Sequence, residues 1–70
     1  MYPRKYKIVF PEIERWMQEN GVSIHDLSRR VGLTDQTMQN QLYGITQFKL
    51  TTIRKLIDLT GIPFETLFSE

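Results

Sequence analysis

Ser23–Tyr43 reads SIHDLSRRVGLTDQTMQNQLY, and the fold turns on this stretch. Ser23 is a good N-cap for a helix, and Asp26, three residues on, can imitate the Glu of a capping box. Ile24, Leu27 and Val31 then recur at helical spacing, with the small Ser28 on the same stripe. Gly32 stops that helix, Leu33 turns inward, and Thr34 caps a further helix that carries Met38 and Leu42 toward the core. A turn of three to four residues containing glycine holds two helices nearly perpendicular. Ser28 suits that crossing, since only a small side chain lets the axes approach closely. A tight corner of this kind also closes helical domains of many functions, so spacing alone leaves its use open.

Outward from the corner, the punctuation is regular. Gly21, Gly32, Gly44 and Gly61 each follow a segment of helical periodicity, where a last turn commonly passes into the left-handed conformation. Pro11 and Pro63 stand where helices start. The first helix is expected from about Pro11 to Asn20, with Ile13, Trp16 and Met17 on one apolar face and Trp16 in the core. The fourth runs from about Leu50 to Thr60, with Leu50, Ile53, Leu56 and Ile57 inside, and the fifth from Pro63 to Phe68. Only Tyr6–Phe10 alternates with period two, which suits either a short extended arm or an edge strand. The expected fold is all-α, a five-helix bundle around a helix-turn-helix. It divides into a basic N-terminal arm, residues 1–10, and a helical domain, residues 11–70.

The totals exclude several functions. Seventy residues make one domain near the lower size limit for folding without staples. With no cysteine, one histidine and scattered acidic residues, neither a disulfide framework nor a metal site is expected. The longest apolar run, Ile8–Phe10, is far short of a membrane span, and no apolar region follows the basic N-terminus as in a signal peptide. A cytoplasmic protein is expected. No Ser/His/Asp grouping, phosphate-binding glycine loop or carboxylate pair suggests catalysis, His25 is expected to be exposed, and no cofactor or small-molecule substrate is implied. Net charge is +1, but Arg4, Lys5 and Lys7 place three cations in the first nine residues. The rest, with six basic and eight acidic residues, sums to −2, so attraction to a polyanion has to come from local patches.

Met17–Phe68 resembles the xenobiotic-response-element type of helix-turn-helix domain found in phage repressors and Cro-type proteins. The resemblance is carried by Asn20-Gly21-Val22-Ser23, Asp26-Leu27-Ser28, Val31-Gly32-Leu33-Thr34, Thr37-Met38, Leu42-Tyr43-Gly44, Thr52–Ile57 and Gly61–Phe68, in register without a gap. It implies a lambda-repressor-like five-helix bundle that binds double-stranded DNA as a transcriptional regulator, with the helix at about 34–43 in the major groove.

Carried over position by position, base contacts fall on Asp35, Gln36, Gln39 and Asn40, and phosphate contacts on Thr34 and Thr37. Gln and Asn pair bidentately with adenine, while Asp accepts from cytosine but repels phosphate. A polar row opposite Met38 and Leu42 also serves as a solvated face, though three amides with no Lys or Glu make an unusual one. The chain departs from the family at Ile24, where many relatives brace a phosphate with glutamine, and at Asn40-Gln41, where several phage relatives carry Arg or Lys. Arg29, Arg30, Lys49 and the arm cations Arg4, Lys5 and Lys7 are the candidates to compensate. Lys49 precedes the fourth helix where a Ser or Thr cap is usual, and a cation there opposes the helix dipole by about 0.3–1 kcal/mol.

Ile62, Phe64, Leu67 and Phe68 are more apolar surface than a bundle this size readily buries, which points to a homodimer through the C-terminal helix. Such a dimer would set two recognition helices ~34 Å apart. Three function classes follow from the sequence. One is a sequence-specific regulator of phage repressor/Cro type. Another is a protein-interaction module that keeps the fold without DNA affinity, and the third is the DNA-binding part of a longer regulator.

Overall fold

A computed structural model describes residues 7–69. Among them are five helices and no strand: α1 (Pro11–Asn20), α2 (Ile24–Val31), α3 (Asp35–Leu42), α4 (Leu50–Thr60) and α5 (Phe64–Leu67). The α2–α3 corner is defined by caps at both of its N-termini. Ser23 Oγ accepts the Asp26 N–H at 3.1 Å, and the Asp26 carboxylate accepts the Ser23 N–H at 3.3 Å, a complete capping box. Thr34 Oγ1 accepts the Thr37 N–H at 3.2 Å. Each such cap is worth about 1 kcal/mol.

Between the caps, Gly32 takes φ +80°, a region that an L side chain enters only with strain. That conformation lets the Leu33 N–H reach back to the Ser28 carbonyl at 2.9 Å and sends the chain into α3. Lys55 of α4 closes the same end of α2, donating to the Val31 carbonyl at 3.3 Å. A cation at a helix C-terminus is favourably placed against the helix dipole.

Every helix contributes to one core. Ile13 and Met17 of α1, Leu27 and Val31 of α2, Met38 and Leu42 of α3, Leu56 of α4 and Leu67 of α5 are all buried. The closest helix packing is α2 on α3, with α5 bridging α1 and α4. Ser28 at the α2–α3 crossing is fully buried, as expected for a small residue at a close approach.

The residues before α1 join this core. The Val9 N–H donates to the Leu42 carbonyl at 3.0 Å, and Phe10 is buried. Gly44, at φ +80°, makes room for that segment, because a Cβ there would stand 3.3 Å from Val9 Cγ2. The period-two pattern at Tyr6–Phe10 corresponds, over the described positions 7–10, to a segment with bends at 7 and 9 that forms no strand and reaches extended backbone at Phe10. Phe10, Phe48 and Phe68 form a triangle of edge-to-face rings, with centroids 5.5, 5.7 and 5.0 Å apart.

Three expectations about the helices need correction. Leu50 is 63% exposed, not inside, because the inward face of α4 runs through Thr52 and Leu56 and leaves Ile53 and Ile57 on its flank. Pro63 is the N-cap of α5, whose first helical residue is Phe64. Trp16 packs against the core only half-buried.

Candidate nucleic-acid interface

The outward side of α3 is built from short polar side chains held by one another. Thr34 Oγ1, while capping the helix, donates to Thr37 Oγ1 at 2.9 Å, which leaves the Thr37 hydroxyl proton available to an outside acceptor. Gln36 Nε2 donates to Asn40 Oδ1 at 3.0 Å, one turn along the helix. That bond turns the two amides toward each other and, among the described residues, leaves the Gln36 oxygen and the Asn40 nitrogen without a partner. Gln39 is half-buried, and among the described residues its amide has no side-chain partner. Gln36, Gln39 and Asn40 therefore present unpaired amide groups of the kind that match an adenine edge.

Asp35 is differently employed. Its carboxylate oxygens stand 3.0 and 2.9 Å from His25 Nδ1 at the start of α2, and Ser28 Oγ donates to it at 2.8 Å. The hydrogen bond from His25, then that from Ser28, holds the Asp35 carboxyl below the usual carboxylate range. The first residue of α3 is thus tied back to α2, across the corner that sets the angle of the two helices. Sequence reasoning placed Asp35 with the base-facing residues and missed both partners. The available signal was a histidine in the first turn of one helix and an aspartate in the first turn of the next.

The cations fall into two groups. Arg15 is engaged by Glu12 and Glu19 along α1, and Lys55 by the Val31 carbonyl. Lys7, Arg29, Arg30, Lys49 and Arg54 are exposed, and none has an ion pair among the described residues. Arg29 and Arg30 occupy the last turn of α2, and Lys49 is the N-cap of α4 with no side-chain capping bond. Arg4 and Lys5 lie outside the described residues.

Of the four C-terminal residues expected at a dimer interface, Leu67 is fully buried in the monomer core and so is off the surface. Ile62 and Phe68 are half-buried, and Phe64 is 50% exposed. Ile45 and Leu50 are exposed as well, and an open groove of about 490 Å³ runs between Ile45, Phe48, Ile53 and Phe64. Among the described residues no group of His, Cys, Asp or Glu is placed to hold a metal ion, and no helix is long and apolar enough to cross a membrane.

A family model described as Cro/C1-type HTH DNA-binding domain matches residues 12–69. No curated protein and no solved structure matches the chain.

Proposed function

The chain belongs to the Cro/C1-type helix-turn-helix DNA-binding domains, and from that premise we propose that it is a sequence-specific transcriptional regulator of phage repressor/Cro type. DNA binding in general follows from the family. The finer reading is that α3 enters the major groove and reads it with Gln36, Gln39 and Asn40. The observation that carries it is the outward face of α3, where these amides keep unpaired hydrogen-bonding groups beside the Thr34–Thr37 hydroxyl pair. Thr34 and Thr37, with Arg29, Arg30, Lys49 and Lys7, supply the phosphate contacts. Arg4 and Lys5, outside the described residues, are proposed to add to these. The Asp35 carboxylate serves the corner more than the bases, since its oxygens already meet two donors.

The protein is read as a binding protein of the cytoplasm, not an enzyme, that works as a homodimer through the C-terminal face. The exposed Phe64 supports that assignment, with the half-buried Ile62 and Phe68 beside it, and Ile45 and Leu50 extend the apolar surface. Two copies would present their α3 helices to successive major grooves ~34 Å apart.

Fluorescence anisotropy with duplex DNA across a salt series tests the reading. Log affinity is expected to fall linearly with log salt, with a slope that reports the number of phosphates neutralised. Selection from random duplexes should then return a two-fold symmetric site. Absence of binding at the lowest salt would overturn the proposal in favour of the interaction module. The exposed Ile45, Leu50 and Phe64, together with the −2 charge after the first ten residues, are what favour that second reading.

A further inference from the structure

Asn20 and Gly21 join α1 to the helix-turn-helix corner, and no other asparagine of the chain precedes a glycine. The pair carries a latent reaction. The Gly21 nitrogen can attack the side-chain carbonyl carbon of Asn20, forming an N–Cγ bond as the Cγ–Nδ2 bond breaks. The Gly21 proton passes to the departing nitrogen, which leaves as ammonia, and a cyclic succinimide remains. Water then adds to either ring carbonyl. One opening leaves an aspartyl residue at position 20, and the other an isoaspartyl residue whose backbone runs through the side chain. Glycine obstructs the attack least of all residues, because it has no Cβ.

Both residues are exposed, and a Cβ on Gly21 would meet no atom within 4 Å, so water reaches the pair freely. The fold holds the reacting groups apart. Asn20 is the last residue of α1, and its Nδ2 donates to the Trp16 carbonyl at 2.8 Å, one turn back. That bond draws the side chain toward the N-terminal end of the helix, away from the Gly21 nitrogen. Gly21, at φ +64°, donates to the Gln18 carbonyl at 3.4 Å, long for a hydrogen bond. Val22, by contrast, is buried and donates to the Met17 carbonyl at 2.9 Å. The turn is firm at Val22 and weak at the reacting pair. Attack requires the exposed Asn20 bond and the long Gly21 bond to open, and helix ends fray at little cost in free energy.

We infer that Asn20–Gly21 is a self-modification site, deamidated from the folded protein through opening of the last turn of α1, and that the isoaspartyl product loosens the α2–α3 corner. The reaction needs water and no other reactant. An ionised aspartyl side chain has no donor for the Trp16 carbonyl. It also sets a negative charge at the negative end of a helix whose last turn holds no basic residue. The isoaspartyl form does more, because it inserts an extra backbone carbon ahead of Val22 and Ser23. Val22 then loses its register with Met17, and Ser23 is the residue that caps α2 in the box with Asp26. Any loss of DNA affinity rests on the DNA-binding reading above; the chemistry does not.

The test is to age the folded protein in neutral buffer at physiological temperature, beside the same protein unfolded in guanidinium. Peptide mapping by mass spectrometry and labelling by an isoaspartyl methyltransferase locate the product. Conversion is expected at Asn20 and not at Asn40, in the folded as well as the unfolded protein. Val22→Ala, with circular dichroism confirming its fold, should convert faster than the wild type when folded and at the same rate when unfolded. The isoaspartyl fraction, isolated by chromatography, should melt about 4–8 °C below fresh protein, the shift that loss of one helix-end bond brings to a domain of this size. It should also bind duplex DNA more weakly than fresh protein. A folded wild type that stays unconverted while the unfolded chain converts would overturn the inference. So would equal folded-state rates in the wild type and Val22→Ala, or an isoaspartyl fraction with an unchanged Tm. Fresh protein that binds no duplex would sink the DNA reading and leave an Asn20 conversion standing.

Discussion

Ser28 Oγ and Asp35 Oδ1 meet at 2.8 Å across the α2–α3 corner, at a point where Ser28 has no exposed surface. The serine thus combines smallness, which the crossing needs, with a hydroxyl that tethers the next helix. Ser28→Ala keeps the first and loses the second, at a cost of about 1 kcal/mol. Ser28→Val forces bulk into a filled space and should cost about 1–3 kcal/mol. Urea denaturation of both variants checks the order, and a valine variant more stable than the alanine one would contradict the close crossing.

Asp35 also gives an acid-side signature. Its folded-state carboxyl is depressed below the ordinary value, by the His25 and Ser28 hydrogen bonds in that order. The folded protein therefore binds this proton less readily than the unfolded chain does. The associated stability is present above the unfolded carboxylate range and is lost as pH falls through the folded one. Asp35→Asn is expected to flatten the acid limb of a denaturation-midpoint-against-pH curve, and an unchanged limb would contradict it.

Gln41 is buried at 3% exposure, and its Oε1 has no hydrogen-bond partner among the described residues. Burying an amide oxygen without a donor is destabilising, and a side chain of similar shape without the polar atoms removes that penalty. Gln41→Met is expected to stabilise the fold by about 1 kcal/mol, which in a domain of this size raises Tm by about 4–8 °C. Calorimetry decides it; a lowered Tm would indicate that the amide is satisfied.

Lys49 separates stability from affinity. As the N-cap of α4 it makes no capping bond. Lys49→Ser supplies one and should stabilise the protein by about 1 kcal/mol. If Lys49 neutralises a phosphate, the same change should lower the slope of log affinity against log salt by about one. A stability gain with an unchanged slope would remove Lys49 from the interface.

Gln39 is the half-buried amide of α3 with no side-chain partner among the described residues. Gln39→Ala should cost about 1–3 kcal/mol of discrimination at one base pair of a selected site while leaving the salt slope alone. Equal weakening on all sequences would assign it to the backbone instead.

What the sequence disclosed follows from how local each signal is. The Ser23–Asp26 box, the Thr34 cap and the left-handed glycines involve residues within a turn of one another, so their pattern is visible along the chain. The face of α4 was misread because apolar residues flank it on both sides. Thr52, a polar residue, lies at its centre, and only the helices packed above it select the rotation that exposes Leu50. Nothing in the sequence placed Gln41 in the core, because an amide carries no apolar signal, and its burial beside Met38 and Leu42 follows from the packing of α3. The His25–Asp35 link joins two residues ten positions apart, and it exists only once the corner has set the angle between α2 and α3.

Phe10 and Phe68 sit ring to ring, 5.7 Å between centroids, although they stand at the two ends of the helical body. The chain therefore enters and leaves this body at one place, so the fold behaves as a closed loop with a single doorway. Such a unit can be spliced into a surface loop of a host protein without stretching either partner. Joining residues near 10 and 68 through a short linker and opening the chain at the exposed Gly21 or Gly61 would give a circular permutant in which α2 and α3 remain contiguous.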